Sequence, residues 1–240
     1  MAADSNIVGY VTKTTVANKM DIVGTHFQNI GDTTINIQDV LPGAGIDMFG
    51  RDVLRAWEPV AATYISARYF DETYDEADTD YENDLGPGWA DGDGFRLDFP
   101  IIAGQGFWLQ TRNNASVTIA GEVLAAKDNL VSTLAGKMDI ICNTFPVDIN
   151  IQDVLPGVGI DMFGRDVLRV WDPVTATYIS ARYFDETYDE ADTDYENDLG
   201  PGWADGDGFR LNFPITAGQG FWLQTRNNAT VSFSAPAGIL

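Results

Sequence analysis

Carboxylates are the residues through which this chain has most chemistry to offer. The run Asp71-Glu-Thr-Tyr-Asp-Glu-Ala-Asp-Thr-Asp-Tyr-Glu-Asn-Asp84 sets eight of them, Asp71, Glu72, Asp75, Glu76, Asp78, Asp80, Glu82 and Asp84, within fourteen residues. It recurs unchanged, with Asp185, Glu186, Asp189, Glu190, Asp192, Asp194, Glu196 and Asp198 in the same places. So dense a run of like charge repels itself unless a cation offsets it. Ca²⁺ suits the task, being a hard ion that takes roughly six to eight oxygens from carboxylates and carbonyls. The glycine-rich turn that follows adds Asp91 and Asp93, copied as Asp205 and Asp207. Calcium is therefore the expected cofactor, although the spacing is not that of an EF-hand loop. Carboxylate pairs for glycoside hydrolysis could be drawn from so many acids. No pair is marked out, and the densest group lies on a loop rather than on rigid strands, so the chain reads as a non-enzyme.

Aromatic rings are the second resource. Trp89 sits between Gly88 and Ala90 in a turn-like stretch and is copied as Trp203. These are the expected exposed rings for a ligand or an interface; Tyr74 and Tyr188, inside the acidic runs, either share that use or pack back on their own domain. Rings beside Asp, Asn and Gln can stack on sugars, which makes polysaccharide the alternative partner. Trp57 and Trp108, with their copies Trp171 and Trp222, are expected in the core. The single His26 aligns with Thr144, and the single Cys142 with Gly24. If both copies do one job, neither residue is essential to it, and Ser-His-Asp or Cys-His catalysis falls away. A surface histidine and a half-buried thiol are expected. One His and one Cys also leave no Cys₂His₂ or Cys₄ zinc site and no intramolecular disulfide.

The elements that must carry these groups are strands, and they come twice. Residues Ile37 to Ile119 align with Ile151 to Phe233 without a gap, identical at 74 of 83 positions. The expected fold is all-β: two tandem near-identical antiparallel β-sandwich or barrel domains, residues 1–122 with the N-terminal strand and residues 123–240. Alternating, β-branched stretches mark strands at Asn6 to Val16, Thr33 to Gln38, Val53 to Trp57, Thr63 to Phe70, Phe95 to Ile101, Gly106 to Thr111 and Ser116 to Ala120. A short helical turn fits Ile37 to Leu41 or Asp47 to Arg51. The 240 residues carry a net charge of -22, which repels phosphate backbones and excludes nucleic acid as a partner. No apolar run approaches the roughly 20 residues that span a bilayer, so membrane insertion is not expected.

Lys19-Met-Asp-Ile-Val-Gly-Thr-His-Phe27, Arg55-Ala-Trp-Glu-Pro59 with its copy Trp171-Asp-Pro173, Gly88-Trp-Ala-Asp91 and Gly104-Gln-Gly-Phe-Trp-Leu-Gln110 carry a resemblance. The chain resembles duplicated all-β modules of secreted bacterial surface proteins, which have a Trp-Asp-Pro turn and a Gly-Gln-Gly-Phe-Trp strand. The resemblance implies export, to an extracellular or cell-surface location, and a structural or adhesive role; Ala2-Ala3-Asp4 would suit a mature N-terminus. It supplies no catalytic residue. The expected function is self-assembly, the chain's partner being itself. The N-terminal strand, through Ile7, Val8, Tyr10 and Val11, either extends its own first domain or completes the open sheet edge of a neighbour's second domain and so builds a head-to-tail fibre.

Overall fold

Period-two alternation dominates the sequence, and the chain folds as an all-β protein of small antiparallel sheets. The computed structural model describes residues 8–29, 32, 34–58, 61, 63–77, 84–124, 128–172, 175, 177–189 and 198–234. The first half holds β1 (Val8–Thr15), β2 (Met20–Gly24), β3 (Phe27–Gln28), β4 (Thr34–Asn36), β5 (Val40–Pro42), β6 (Phe49–Glu58), β7 (Thr63–Phe70), β8 (Gly88–Ala90), β9 (Pro100–Ile102), β10 (Gly106–Gln110) and β11 (Ala115–Val123). The second holds β12 (Asp128–Thr133), β13 (Met138–Cys142), β14 (Ile149–Asn150), β15 (Leu155–Pro156), β16 (Phe163–Asp172), β17 (Thr177–Phe184), β18 (Gly202–Ala204), β19 (Pro214–Ile215), β20 (Gly220–Gln224) and β21 (Ala229–Ser234). Sheet order β2-β10-β6-β7-β8 in the first half becomes β13-β20-β16-β17-β18 in the second. A smaller sheet, β1-β11-β3 with β5 also on β11, corresponds to β12-β21-β15. No helix among the described residues is long and apolar enough to cross a membrane.

Alternation decides which residues enter the core. β6 buries Asp52, Leu54 and Ala56 and turns Val53, Arg55 and Trp57 the other way. β10 buries Phe107 and Leu109, and β11 buries Val117 and Ile119. Apart from Asp52, these side chains, together with their copies, belong to one continuous apolar cluster that runs through both halves. Each fully buried Leu or Phe contributes about 1.5–3 kcal/mol of transfer free energy. The helical turn expected near Ile37 is a 3₁₀ turn, Ile37–Asp39, closed by a capping box between Asn36 and Asp39. Asp47 to Arg51 instead leads straight into β6. The strand expected over Phe95 to Ile101 shrinks to β9, because the Gln38 side chain stands in for a ladder rung. Its Nε2 donates to the carbonyls of Trp89 (2.7 Å) and Leu97 (2.6 Å), and its Oε1 accepts from Trp89 N (3.0 Å).

The N-terminal strand is used inside its own half. β1 pairs with β11 over eight residues, from Val8 opposite Glu122 to Thr15 opposite Ala115. β12 pairs with β21 in the corresponding way, and β15 covers the other edge of β21. The edge expected to await a neighbour's strand is therefore occupied from within the chain. Of the assembly residues, Val8 and Tyr10 are exposed, Val11 is half-buried against the core, and Ile7 lies outside the described residues.

The halves meet through reciprocal contacts. Val23 bridges Gln219, and Ile141, the counterpart of Val23, bridges Gln105, the counterpart of Gln219. Gly24 N donates to Gly218 O and Cys142 N to Gly104 O, both at 2.9 Å. Gly220 accommodates Ile22 as Gly106 accommodates Ile140. Trp108 touches its own counterpart Trp222, ring centroids 5.0 Å apart. Contacts exchanged in this way define an isologous, approximately two-fold junction. Gly24 faces its own counterpart too: a Cβ built there would lie 2.4 Å from Cys142 Cβ.

His26 and Cys142 are both fully buried at this junction, where a surface histidine and a half-buried thiol were expected. His26 Nε2 accepts from Gly218 N at 2.7 Å, which leaves the proton on Nδ1 to be donated to Asn143 O. The histidine therefore bonds the second half at two points. Gly24→Ala should destabilise the fold by about 1–3 kcal/mol, the usual range for overpacking. Adding Cys142→Gly should restore most of that loss, a non-additivity that urea denaturation of the two single variants and the double variant measures. Burial lowers the pKa of His26 to about 4, against 6.5 for a free histidine, the Asn143 bond opposing the shift. Between those values the unfolded chain binds a proton that the folded chain does not. The histidine's contribution is thus complete above about pH 6.5 and falls by about 3 kcal/mol as the pH drops towards 4. Denaturation of the chain and of His26→Thr at pH 7.5 and 4.5 should show that extra slope only in the former.

Candidate functional site

The sequence placed Trp89 and Trp203 at the surface; the fold places both at the centre of the core, with no exposure. Trp89 Nε1 donates to Val40 O at 2.8 Å, and its ring meets Tyr69 edge-on at 5.3 Å. Gly88 is small because Gln38 Oε1 and the Arg96 guanidinium come within about 3 Å of where its Cβ would be, not because the chain turns there. Tyr74 and Tyr188 are half-buried and fold back on their own halves. Tyr74 N donates to Gly94 O at 3.0 Å and its hydroxyl to Glu72 at 3.3 Å.

The acidic runs are described only at their ends. Asp78, Asp80, Glu82, Glu190, Asp192, Asp194 and Glu196 lie outside the described residues. Asp71, Glu72, Asp75, Glu76, Asp185, Glu186 and Asp189 are exposed. Asp75 accepts from Ala77 N, and Asp84 and Asp198 accept from Gly86 N and Gly200 N. Asp91 Oδ1 accepts from Asp93 N (2.9 Å) and Phe95 N (3.0 Å), closing its own turn, and Asp205 does the same for Asp207 and Phe209. Asp93 and Asp207 are exposed. Among the described residues no three His, Cys, Asp or Glu side chains gather as a metal site.

Two surface features went unread in the sequence. The first is a knob at the start of β6, where Met48 is 42 % and Phe49 70 % exposed; Met162 and Phe163 repeat it at 42 % and 72 %. A buried hydrogen-bond frame holds it. Asp52, fully buried, accepts from Asp47 N (2.8 Å) and Arg112 N (2.7 Å). Asp47 accepts from Phe49 N (3.0 Å) and pairs with Arg51 at 2.6 Å, and the Arg51 guanidinium lies 5.8 Å from the Phe49 ring centroid. The hydrogen bond from Arg51 holds the Asp47 carboxyl below the ordinary carboxylate range. Gly50, at φ 68°, leaves room for Phe70, which a Cβ would approach to 2.3 Å.

The second feature is a belt of rings across the junction. Trp57 and Trp108, expected in the core, are only half-buried and point to the outer face of the sheet. Trp57 meets Tyr64 at 5.1 Å, Tyr64 is hydrogen-bonded to Trp108, and Trp108 meets Trp222. The order then reverses through Tyr178 to Trp171. The end rings line two clefts related by the junction. Around Trp57 the walls are Ile102, Gln105, Leu130, Val131, Leu134 and Asp139, enclosing about 290 Å³. Around Trp171 they are Thr216, Gln219, Lys13, Val16, Lys19, Asp21 and Asp172, enclosing about 800 Å³. No protein-family model matches the chain, and neither a curated protein nor a solved structure matches it.

Period two was signal enough to turn each of these rings outward: with Leu54 and Ala56 inward, Trp57 must point outward, as Trp108 must beside Phe107. The copies also differ where the clefts differ, Lys13 standing opposite Val131 and Thr216 opposite Ile102. Since Trp89 is a core residue, Trp89→Ala should cost about 3–5 kcal/mol of stability, as aromatic truncations in cores do. Thermal melting monitored by near-ultraviolet circular dichroism checks this.

Proposed function

We propose that the chain is two tandem near-identical β-sandwich domains that act as one rigid, bivalent building block of an extracellular assembly, without catalysis. The observation that carries this reading is the Met48-Phe49 knob, displayed on the same hydrogen-bond frame in both copies. Exposed apolar side chains held rigid are worth explaining, because solvent-facing Phe and Met are stabilised by a partner and not by water. The knobs sit at the far ends of β6 and β16, about 26 Å of strand from Trp57 and Trp171 by a rise of ~3.3 Å per residue. A block with two like patches facing apart, each meeting its equal on the next block, extends as an open chain.

Charge sets the conditions for that growth. At a net charge of -22 the copies repel each other. The acidic run begins beside the knob, since Asp71 N donates to Met48 O at 3.0 Å. Knob-to-knob contact therefore brings carboxylates together, and Ca²⁺ is the ion suited to offset them. Export, implied by the resemblance to surface modules, fits this role.

Sedimentation velocity and electron microscopy test the reading. The chain should be monomeric at low salt and form filaments with millimolar Ca²⁺, while NaCl of equal ionic strength has a smaller effect. Phe49→Ser should stop growth at dimers, because one working knob remains, and Phe49→Ser with Phe163→Ser should leave monomers of unchanged melting temperature. A chain monomeric in every condition, or a single variant that polymerises like the parent, overturns it.

A further inference from the structure

The two clefts share a ring, a glutamine and an aspartate, Trp171, Gln219 and Asp21 in one and Trp57, Gln105 and Asp139 in the other. They differ in the residues added to that set. The smaller cleft adds Leu130, Val131 and Ile102; the larger adds Lys13, Lys19 and Thr216. Only four of the 240 residues are lysine, so two of them at one cleft, beside Asp21 and Asp172, bring a strongly acidic chain to local charge balance. Lys13 is half-buried, and among the described residues its ammonium has no ion pair, the two pairs being Arg51 with Asp47 and Arg165 with Asp161. Asp21 attracts it without touching it. Burial lowers the Lys13 pKa and raises that of Asp21, each charge partly offsetting the other's shift.

A half-buried cation without a partner is matched by one anionic group, not by several. An acidic peptide would bring carboxylates against Asp21 and Asp172. A sugar acid brings one carboxylate for Lys13, hydroxyls that donate to the aspartates, and an apolar ring face for Trp171. We infer that the larger cleft binds a single uronic-acid residue flanked by neutral sugars in a polysaccharide, with Lys13 on the carboxylate and Trp171 against the ring. The smaller cleft is its built-in control, with Val131 in the place of Lys13. This site is independent of the knobs and of the assembly proposed from them.

Calorimetric titration of the whole chain with the methyl glycoside of galacturonic acid, the methyl ester of that glycoside and a peptide of residues 71–84 tests the site. The free-acid glycoside should bind one per chain and its ester at least tenfold more weakly. Lys13→Val, which writes the smaller cleft's residue into the larger, should lower affinity at least tenfold without changing the melting temperature. Trp171→Ala should abolish binding and Trp57→Ala should leave it intact. Absence of binding by the free-acid glycoside, two sites per chain, equal affinity for the ester, indifference to Lys13→Val, or tighter binding of the peptide each overturns the inference.

Discussion

Two side chains related by a two-fold axis cannot fill the same point on it, and the junction between the copies is built around that limit. Where Trp108 meets Trp222, both rings fit because they pack edge to face. Where Gly24 meets Cys142 only one side chain fits, and the pair has become glycine and cysteine. His26, placed beside the axis, bonds Gly218 and Asn143 across it, while its counterpart Thr144 has a hydroxyl without a partner among the described residues. The chain's only histidine and only cysteine are thus departures from repetition where repetition is sterically or chemically costly. Burial pushes the Cys142 thiol up, well away from reactive thiolate, as a packing role requires.

Away from the junction, fidelity between copies serves a different end. The Asp47, Arg51 and Asp52 frame and the Gln38 rung recur in the second half with nearly equal geometry. These are polar groups buried beside strands, and buried acceptors and donors are costly to orphan. Each copy therefore keeps its whole set, and the surface that the set holds in place is kept with it. The clefts escape this constraint because their walls come partly from β1 and β12, whose sequences are unrelated, VGYVTKTT against DNLVST.

Much of the fold was legible in the residues. The duplication and the strands over Val53 to Trp57 and Thr63 to Phe70 follow from identity and alternation, whereas the cap that Asn36 gives the turn at Ile37 emerged only with the structure. Trp89 was misplaced because small neighbours on either side of an aromatic look the same in a turn as in a crowded strand crossing; only the approach of Gln38 and Arg96 separates them. His26 was misplaced for a subtler reason. A residue absent from one copy is dispensable to a function that both copies share, yet it can be indispensable to the contact between them. Nothing in periodicity reveals a two-fold axis, so the belt from Trp57 to Trp171 could be read strand by strand but not as a belt.

The connection between the copies gives the junction a last property. β11 ends at Val123 and β12 begins at Asp128, so the two partners of the isologous contact are tethered by a few residues. A tether that short holds each half at an effective concentration in the millimolar range for the other. Since the halves are nearly identical, the same contact is available between the first half of one molecule and the second half of another. Closure within one chain prevails at ordinary protein concentrations. Cutting or lengthening the tether would remove that local advantage and turn the same surface into a route for domain swapping.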